Sequence, residues 1–278
     1  MKTGEESVIG AACIQMEPKI GRKDENVART VELIGRAHAD GARLVVLPEL
    51  CNSGYVFESR EEAFALAETL EAGETIRAWQ ALSERLGVVI VAGFAERAGD
   101  RLYNAAAILR PGHAPGRYRK LHLWGEEQLF FEPGNLGVPL FETPFGRLAC
   151  AICYDIWFPE VFRMAALAGA DALCVPTNWV PMPAQPANLP VMANTLAMAG
   201  AHSNGMFVLA ADRVGTERGQ PFLGNSLIVD HFGWPAAGPA GAHEEAVLVA
   251  RLNLVAARRN RQLNSFNHVL RDRRPDVY

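Results

Sequence analysis

Residues 148–162 read LACAICYDIWFPEVF and place a cysteine between a predicted strand and a predicted helix. The first residues are small and apolar, which favours a buried strand, and a helix is expected to begin near Phe158 with Pro159 in its first turn. Cys153 then lies on the intervening turn, close to the positive end of that helix, where the thiolate form is favoured. Because a thiolate attacks carbonyl or nitrile carbon, Cys153 is a candidate nucleophile. A lone cysteine of this kind is also often a small buried hydrophobe.

The composition predicts one folded domain over residues 1–278. The chain has 49% hydrophobic and 21% charged residues, enough for a sizeable core, and it shows no low-complexity linker and no internal repeat. A net charge of -4 with scattered charges offers no basic stripe for nucleic acid and no polybasic patch for a membrane. We therefore expect a small-molecule partner, with no nucleic acid and no membrane involved.

Cysteine usage and the N-terminal residues predict a cytoplasmic protein. Residues 1–6 are polar and acidic, unlike a secretory leader, and no apolar run is long enough to span a membrane. The cysteines are too few, and too apolar in context, for a disulfide framework, so we expect them to be reduced. They are Cys13, Cys51, Cys150, Cys153 and Cys174.

Strands and helices are expected to alternate in the first and third quarters of the chain, with hairpins between them. This order predicts an α/β protein with one largely buried mixed sheet or two such sheets. A hairpin is predicted where strands at 88–94 and 102–109 flank a turn at 98–100. Other predicted elements include helices over about 61–70, 74–86 and 191–204 and strands over 139–141 and 222–229.

Three predicted core strands end in side chains of different reactivity. Glu49 follows an apolar run, Lys120 follows a short strand, and Cys153 follows the strand described above. Active sites of α/β folds gather where strands end, so these residues form a site hypothesis. The connection over 124–138 after Lys120 is long, and loops of that length in compact domains are usually functional. Taken singly, each residue also fits a structural role, such as a cap or a surface charge.

The motifs around these residues match one family. The segments LVVLPE at 44–49, YRKLHL at 118–123 and CAICYD at 150–155 occur in that family's order, and FPE follows at 158–160. On these motifs the chain resembles the nitrilase superfamily of carbon-nitrogen hydrolases along essentially its whole length, with the pattern of the amidase-like branch. The resemblance implies a four-layer αββα sandwich and a catalytic Glu-Lys-Cys set.

The resemblance implies specific roles for the residues that carry these motifs. Cys153 attacks and forms a thioester, Glu49 serves as general base and acid, and Lys120 stabilises the oxyanion. The backbone N–H of Tyr154 is expected to be a second oxyanion donor. Glu127 occupies the place of a second, supporting glutamate that orients Lys120 or the substrate nitrogen, with the adjacent Glu126 as the alternative. These side chains supply the whole mechanism, so no metal and no organic cofactor is expected.

The residues after Cys153 favour amides over nitriles. Nitrilases of this superfamily usually have Trp-Glu after the nucleophile, whereas this chain has Tyr154 and Asp155, a pattern that resembles amidases and carbamoyl-amide hydrolases. Trp157 stands where several amidases for carboxylate-bearing substrates have arginine. We therefore expect an amidase for a small primary amide, with an N-carbamoyl-amide hydrolase of the ureidopropionase or carbamoylputrescine type, or a nitrilase, as alternatives. The expected substrate-binding residues are Tyr55, Trp124, Tyr154, Asn178 and Trp179.

Two other interpretations concern the cysteines and the C-terminal segment. Cys150 and Cys153 form a Cys-x-x-Cys pattern, which also occurs in thiol-disulfide redox proteins and in half of a zinc site. Zinc needs about four ligands and no second such pair exists, so the hydrolase is favoured. His122 is interpreted as structural. By resemblance the protein is a homodimer or a higher homo-oligomer, with the tail over 258–278 at the interface.

Overall fold

The structure, a computed structural model, describes residues 8–186 and 188–277. Two predictions therefore fall partly outside the described residues. These are the absence of a leader, which depends on residues 1–6, and the end of the predicted interface tail at Tyr278.

Helices and strands alternate through most of the chain. The first half forms β1 (Val8–Gln15), α1 (Lys23–Ala39), β2 (Ala42–Val46), α2 (Arg60–Leu66), α3 (Glu74–Leu86), β3 (Val89–Ala98), β4 (Arg101–Leu109), β5 (Gly116–Arg119) and α4 (Glu127–Phe130). The second half forms β6 (Phe141–Thr143), β7 (Gly146–Cys150), a 3-10 helix (Cys153–Trp157), α5 (Pro159–Ala168), β8 (Ala172–Pro176), α6 (Met192–Asn204), β9 (Phe207–Ala211), β10 (Thr216–Glu217), β11 (Gln220–Pro221), β12 (Leu227–Val229), β13 (Pro235–Ala237), β14 (Ala246–Asn253) and α7 (Ala256–Asn260).

The strands form two six-stranded sheets and a short ribbon. The first sheet has the order β14-β1-β2-β3-β4-β5, the second has the order β13-β12-β9-β8-β7-β6, and β10 pairs with β11. In the first sheet, β2 pairs in parallel with both β1 and β3. In the second sheet, β8 pairs in parallel with both β7 and β9. Helices connect these parallel strands, because a parallel pair needs a crossover. The outer strands of both sheets pair antiparallel.

Alternate residues of the inner strands pack on opposite sides of each sheet. In β2, Leu44 and Val46 belong to the core shared with the second sheet, whereas Val45 packs in the core shared with α1 and α3. Helices α5 and α6 contribute Phe162 and Ala197 to the core of the second sheet. The order of layers is helices, sheet, sheet, helices. The predicted four-layer αββα sandwich is confirmed.

Most predicted elements are present, and four have bounds that differ by more than one residue. The hairpin predicted from strands at 88–94 and 102–109 is β3 and β4, and β3 is longer than predicted because its pairing with β4 continues from Ile90 with Leu109 to Ala98 with Arg101. Helix α2 ends at Leu66 rather than near residue 70, because the next residues turn to the sheet, where the Glu68 N–H donates to Ala95 O.

The other two differences concern strands. The strand predicted over 222–229 is regular only from Leu227, because the preceding N–H groups bond to loops instead of a neighbouring strand: Phe222 donates to Gly215 O and Leu223 to Trp179 O. The strand expected over 139–141 begins at Phe141. In the described ranges, no helix has the length and apolar character needed to cross a membrane.

Candidate active site

The fold brings Glu49, Lys120 and Cys153 to one place between the two sheets. Glu49 follows β2 and Lys120 follows β5, both in the first sheet, and Cys153 follows β7 in the second sheet. The side chains of Glu49 and Lys120 are fully buried, and Cys153 is buried as well. The three residues predicted from separate motifs therefore meet at the carboxyl ends of their strands.

Lys120 links two carboxylates. Its Nζ donates to Glu49 Oε1 at 2.7 Å and to Glu127 Oε1 at 2.6 Å. Burial alone would lower the pKa of the ammonium, but the charges of Glu127 and Glu49 outweigh burial and raise that pKa. Lys120 is therefore cationic, and one of its three N–H groups is left for a further acceptor.

Glu49 has one occupied carboxylate oxygen and one free oxygen. Oε1 accepts from Lys120 and from Asn104 Nδ2 at 2.6 Å, whereas Oε2 is buried and has no hydrogen-bond partner among residues 8–186 and 188–277. Burial, opposed by the charge of Lys120 and reinforced by that of Glu127, raises the pKa of Glu49 to about 7. A carboxyl group with that pKa exchanges a proton near neutral pH, as a general base and acid must. Oε2 is the atom in position to do so.

Asn104 is a site residue that the sequence interpretation missed. It lies in β4, fully buried among apolar residues, and its backbone carbonyl also accepts the Lys120 N–H at 2.8 Å. The signal in the sequence was a polar side chain inside the apolar run LYNAAAIL at 102–109. A buried asparagine in such a run needs a hydrogen-bond partner, and that partner is Glu49.

Glu127 has both carboxylate oxygens engaged. Oε1 accepts from Lys120 and from Tyr55 Oη at 2.7 Å, and Oε2 accepts from the Trp124 N–H at 3.2 Å. Its neighbour Glu126 is exposed, so Glu127 is the glutamate that faces the lysine. Both oxygens of Glu127 therefore have partners, and one of these partners is Lys120.

Cys153 adopts a left-handed backbone conformation with φ of 45°. Burial and the charge of Glu49 raise the pKa of its thiol, while Lys120, the Thr177 hydroxyl and the Asn178 backbone N–H act in the opposite direction. The expectation that the helix terminus favours the thiolate is wrong, because the 3-10 helix separates Cys153 from α5 and burial dominates. The Cys153 side chain is therefore a thiol, which would have to give its proton to a base before it could act as a nucleophile.

The segment after β8 holds Glu49 and forms one wall of the pocket. Asn178 Nδ2 donates to the Glu49 backbone carbonyl at 3.0 Å, and the Glu49 N–H donates to Thr177 O at 3.4 Å. The Trp179 N–H donates to Asp212 Oδ1 at 2.9 Å. Asp212, which the sequence interpretation also missed, is fully buried, and burial raises its pKa well above the ordinary value. The bonds from Asn178 and Thr177 therefore connect Glu49, at the end of a strand of the first sheet, to the second sheet.

An aromatic pocket opens above the thiol. The Tyr154 ring lies 4.9 Å from the Trp124 ring and 6.0 Å from the Trp157 ring between centroids. The residues lining the pocket are Trp124, Cys153, Tyr154, Trp157, Asn178, Trp179, Val180 and Met182. The list contains four of the five predicted substrate-binding residues, together with Trp157, Val180 and Met182, which were not in that prediction.

A second cavity of about 290 Å³ adjoins the first and shares Trp124 and Val180 with it. Tyr55, the remaining predicted substrate-binding residue, lines this cavity together with Glu126 and Glu127. Among the described residues, neither cavity is lined by a lysine or an arginine.

The structure also shows the state of the cysteines and whether side chains are grouped to bind a metal ion. All five cysteines are free and buried, and Cys150 pairs in register with Cys174 on adjacent strands β7 and β8. Within residues 8–186 and 188–277, no group of three or more His, Cys, Asp or Glu side chains is arranged to hold a metal ion.

An αββα sandwich with a buried glutamate, lysine and cysteine defines a class of cysteine-dependent hydrolases. The carbon-nitrogen hydrolase family matches residues 10–262, so the chain belongs to that family, within the nitrilase superfamily. It is an enzyme that hydrolyses carbon-nitrogen bonds.

Three comparisons show how similar its relatives are. A protein named nitrilase from Pyrococcus abyssi is 41% identical over 98% of this chain and 99% of its own length. An N-carbamoylputrescine amidase from Solanum lycopersicum is 35% identical over 91% of this chain and 88% of its own. The crystal structure of a carbon-nitrogen hydrolase from Helicobacter pylori G27 superposes with a TM-score of 0.86 at 30% identity, covering 98% and 97% of the two chains.

Proposed function

We propose that this protein is an amidase that hydrolyses a small primary amide to a carboxylic acid and ammonia through a Cys153 thioester. The observation that carries the proposal is the free, buried Oε2 of Glu49, whose pKa of about 7 suits it to take a proton from the buried thiol. Its partner Oε1 is held by Lys120 and Asn104. The base is thereby fixed in place with one oxygen ready to react.

In the first half of the reaction, Glu49 Oε2 accepts the thiol proton as the sulfur of Cys153 attacks the amide carbon. The carbonyl oxygen becomes an oxyanion, which accepts hydrogen bonds from the third N–H of Lys120 and from the Tyr154 backbone N–H. Glu49 then returns the proton to the amide nitrogen, the carbon-nitrogen bond breaks, and ammonia leaves. The acyl group stays on sulfur as a thioester.

In the second half, a water molecule replaces ammonia. Glu49 takes a proton from the water, and the hydroxide formed attacks the thioester carbon. The same donors on Lys120 and Tyr154 stabilise the second oxyanion. The carbon-sulfur bond breaks, the thiolate of Cys153 recovers the proton from Glu49, and the carboxylic acid leaves.

The pocket supports amides that carry no carboxylate. Its walls are aromatic and neutral, and the adjoining cavity has Glu126 and Glu127 as its charged groups. Trp157, which lines the pocket, stands where several amidases for carboxylate-bearing substrates have arginine. Lys120, the cation beside Glu127, is already shared with Glu49. An anionic substrate would therefore gain no further positive charge from the described residues that line the two cavities. We infer a preference for neutral or cationic amides.

An N-carbamoyl-amide hydrolase is the second candidate, and the adjoining cavity favours it. A linear N-carbamoyl amine is longer than a simple amide, and the additional cavity of about 290 Å³ beyond Trp124 gives such a chain room. The similarity to the N-carbamoylputrescine amidase supports the same choice. Nitrile hydrolysis is the third candidate, supported by the name of the Pyrococcus abyssi relative.

Ammonia release from a panel of substrates separates these candidates. The panel holds aliphatic and aryl primary amides, N-carbamoyl amines, ω-amides with and without a carboxylate, and the nitriles that match the amides, with Cys153→Ala as the control. We expect amides to react faster than their nitriles and Cys153→Ala to release no ammonia. Faster nitriles would contradict the amidase assignment, and full activity of Cys153→Ala would contradict the site.

The alternative that the chain is a thiol-disulfide redox protein is tested by a different measurement. Titration of thiols with and without an amide substrate reports whether one cysteine or a Cys150–Cys153 pair reacts. The hydrolase predicts that substrate protects one alkylatable cysteine, Cys153. Loss of two thiols together on mild oxidation, with no ammonia formed from any amide, would favour redox chemistry instead.

We also propose a cytoplasmic homo-oligomer whose interface includes the segment 258–277. Exposed apolar side chains support this, with Met164 and Leu167 on α5 and Phe266, 92% exposed, in the segment itself. The five free thiols suit a reducing compartment. Light scattering on the wild type and on Phe266→Asp tests the interface, and a monomeric wild type would contradict it.

A further inference from the structure

Asp155 is a buried carboxylate that receives four hydrogen bonds. Oδ2 accepts from Tyr118 Oη at 2.7 Å and from the Ile152 N–H at 2.9 Å. Oδ1 accepts from the His122 N–H at 3.0 Å and lies 2.8 Å from His122 Nδ1. Because a carboxylate oxygen accepts, the His122 ring is assigned as the donor from Nδ1. Asp155 is 0% exposed, so it acts on its neighbours and not on a bound molecule.

Two of these neighbours flank the catalytic lysine. Tyr118 precedes Lys120 by two residues and His122 follows it by two. Tyr118 belongs to β5, which lies at the edge of the first sheet beside β4, so among the described residues no strand pairs with the other side of β5. The bonds to Asp155 supply an anchor from the second sheet. The His122 ring adds another, because it stacks on Phe158 with centroids 3.7 Å apart.

The third neighbour fixes the nucleophile. The left-handed conformation of Cys153 is unfavourable for a residue with a side chain and persists only where the surroundings hold it. The Asp155 N–H donates to Ile152 O at 3.0 Å, and the Asp155 side chain accepts from the Ile152 N–H. These two bonds close the turn around Cys153 from both ends.

We propose that Asp155 is a positioning residue that sets the catalytic lysine and the nucleophilic cysteine at their working separation. One carboxylate holds both sides of the Lys120 segment and the residue before Cys153, although these segments belong to different sheets. The inference rests on the proposed function, because it gives the separation of Lys120 and Cys153 a catalytic purpose. From the sequence, Asp155 was interpreted as a marker of substrate class, and the proposal adds that it positions Lys120 and Cys153.

Asp155→Asn is the direct test, because asparagine keeps the shape of the side chain but carries no charge. Its amide NH2 group replaces one of the two accepting oxygens and therefore faces a hydrogen-bond donor. A displacement of about 1 Å in an active site costs about 100-fold in rate, so we expect kcat to fall about 100-fold with KM changed by less than about threefold. Tyr118→Phe removes one of the four bonds, and we expect a fall in kcat of about fivefold. In the double variant the two effects should not add, since both act through one carboxylate.

Asp171→Asn is the matched control. Asp171 is also fully buried, accepts from the Arg147 N–H at 2.8 Å and from the Arg258 guanidinium at 2.6 and 2.7 Å, and lies at the opposite end of β8 from Thr177. We expect this variant to lose stability while its kcat stays within about twofold of the wild type. If Asp171→Asn and Asp155→Asn lower kcat in the same proportion to their loss of Tm, Asp155 is merely structural and the proposal is overturned.

The rate at which iodoacetamide alkylates Cys153, followed by mass spectrometry, separates this proposal from the proposed function. We expect Asp155→Asn to alkylate at least about threefold more slowly than wild type, because the thiol loses its alignment with Glu49. A wild type that alkylates quickly but turns over no amide contradicts the proposed function alone. Unchanged alkylation and kcat in the Asp155 variant contradict the positioning role. If Asp155→Asn does not fold, Tyr118→Phe decides, and an unchanged kcat in that variant overturns the proposal.

Discussion

Lys120 pairs with two buried carboxylates, and in the proposed mechanism it also donates to the oxyanion. In Lys120→Gln we expect kcat to fall at least about 100-fold, the usual cost of losing an oxyanion donor. The free energy of unfolding should also fall, by about 3 kcal/mol, since two buried carboxylates lose their cation. Steady-state kinetics and urea denaturation measure the two losses.

The control for this change is Lys23→Gln. Lys23 also pairs with a buried glutamate, with its Nζ 3.0 Å from Glu68 Oε1, but it lies at the start of α1 and away from the pocket. Its kcat should stay within about twofold of the wild type. A similar kcat loss in both variants would show that removing a buried pair, and not the position of Lys120, lowers activity.

The raised pKa of Glu49 leads to predictions of how activity and stability depend on pH. Because the base must be ionised to take the thiol proton, kcat/KM should rise with pH and level off above its pKa of about 7. Stability should change in the opposite sense. The folded state holds the Glu49 proton more tightly than the unfolded chain does, so this group's contribution to stability is present at low pH and is lost as pH rises towards about 7.

Glu49→Gln tests both statements. It should abolish turnover and flatten the dependence of the unfolding free energy on pH between the ordinary glutamate pKa and about 7. Denaturation of wild type and variant at a series of pH values makes the comparison. If the variant keeps the wild-type slope of stability against pH, another group titrates in that window and Glu49 does not.

At the scale of elements, the β10–β11 ribbon braces the loop that carries Tyr55. Glu217 Oε2 accepts from the Tyr55 and Val56 N–H groups, both at 2.7 Å, and Glu217 Oε1 accepts from Arg213 at 2.9 Å. Arg213 in turn lies 4.1 Å from the centre of the Phe222 ring. The ribbon therefore fixes the loop whose Tyr55 hydroxyl donates to Glu127.

Glu217→Ala should release this loop. We expect kcat/KM to fall about tenfold as Tyr55 loses its position against Glu127. Tyr55→Phe should lower activity in the wild type but add little in the Glu217→Ala background, because both changes remove the same bond to Glu127. Glu62→Ala is the control, since Glu62 pairs with Arg218 of the same connection at the surface and exposed pairs contribute little. Fully additive losses would mean that the ribbon and Tyr55 act independently.

Glu49, Lys120 and Cys153 could be proposed from the sequence because each follows a predicted strand in a recognisable motif, as Glu49 does after LVVLP. The residues that hold them could not. Asn104 bonds to Glu49 from 55 positions away and Asp155 bonds to Tyr118 from 37 positions away, and no local pattern encodes such pairings. The same reason explains α2, which ends early because Glu68 exchanges backbone hydrogen bonds with Ala95 and Arg97 of β3.

At the scale of the whole molecule, the site depends on how the two sheets pack. Glu49 and Lys120 follow strands of the first sheet and Cys153 follows a strand of the second, so the side chains between the sheets set the distance between base and nucleophile. The layer order was predicted through the family resemblance, whereas composition and periodicity left open one sheet or two. Periodicity describes each strand's faces but not which sheet lies opposite.

Two adjacent valines in β2 test this dependence. Val46 packs in the core between the sheets and Val45 in the core against the helices, and both are 0% exposed. Truncation to alanine should cost each variant about 2 kcal/mol of unfolding free energy, since the same atoms leave a close-packed core. Only Val46→Ala leaves a cavity between the two sheets, so only in this variant can the sheets move closer together. We therefore expect its kcat to fall at least about fivefold, and the kcat of Val45→Ala to stay within about twofold of the wild type. Urea denaturation establishes that the stability losses match, and kinetics at a temperature where both variants are folded compares the turnover. Equal kcat in the two variants would show that the hydrogen bonds of Asp155 and Asn178 hold the sheets in register without help from the core between them.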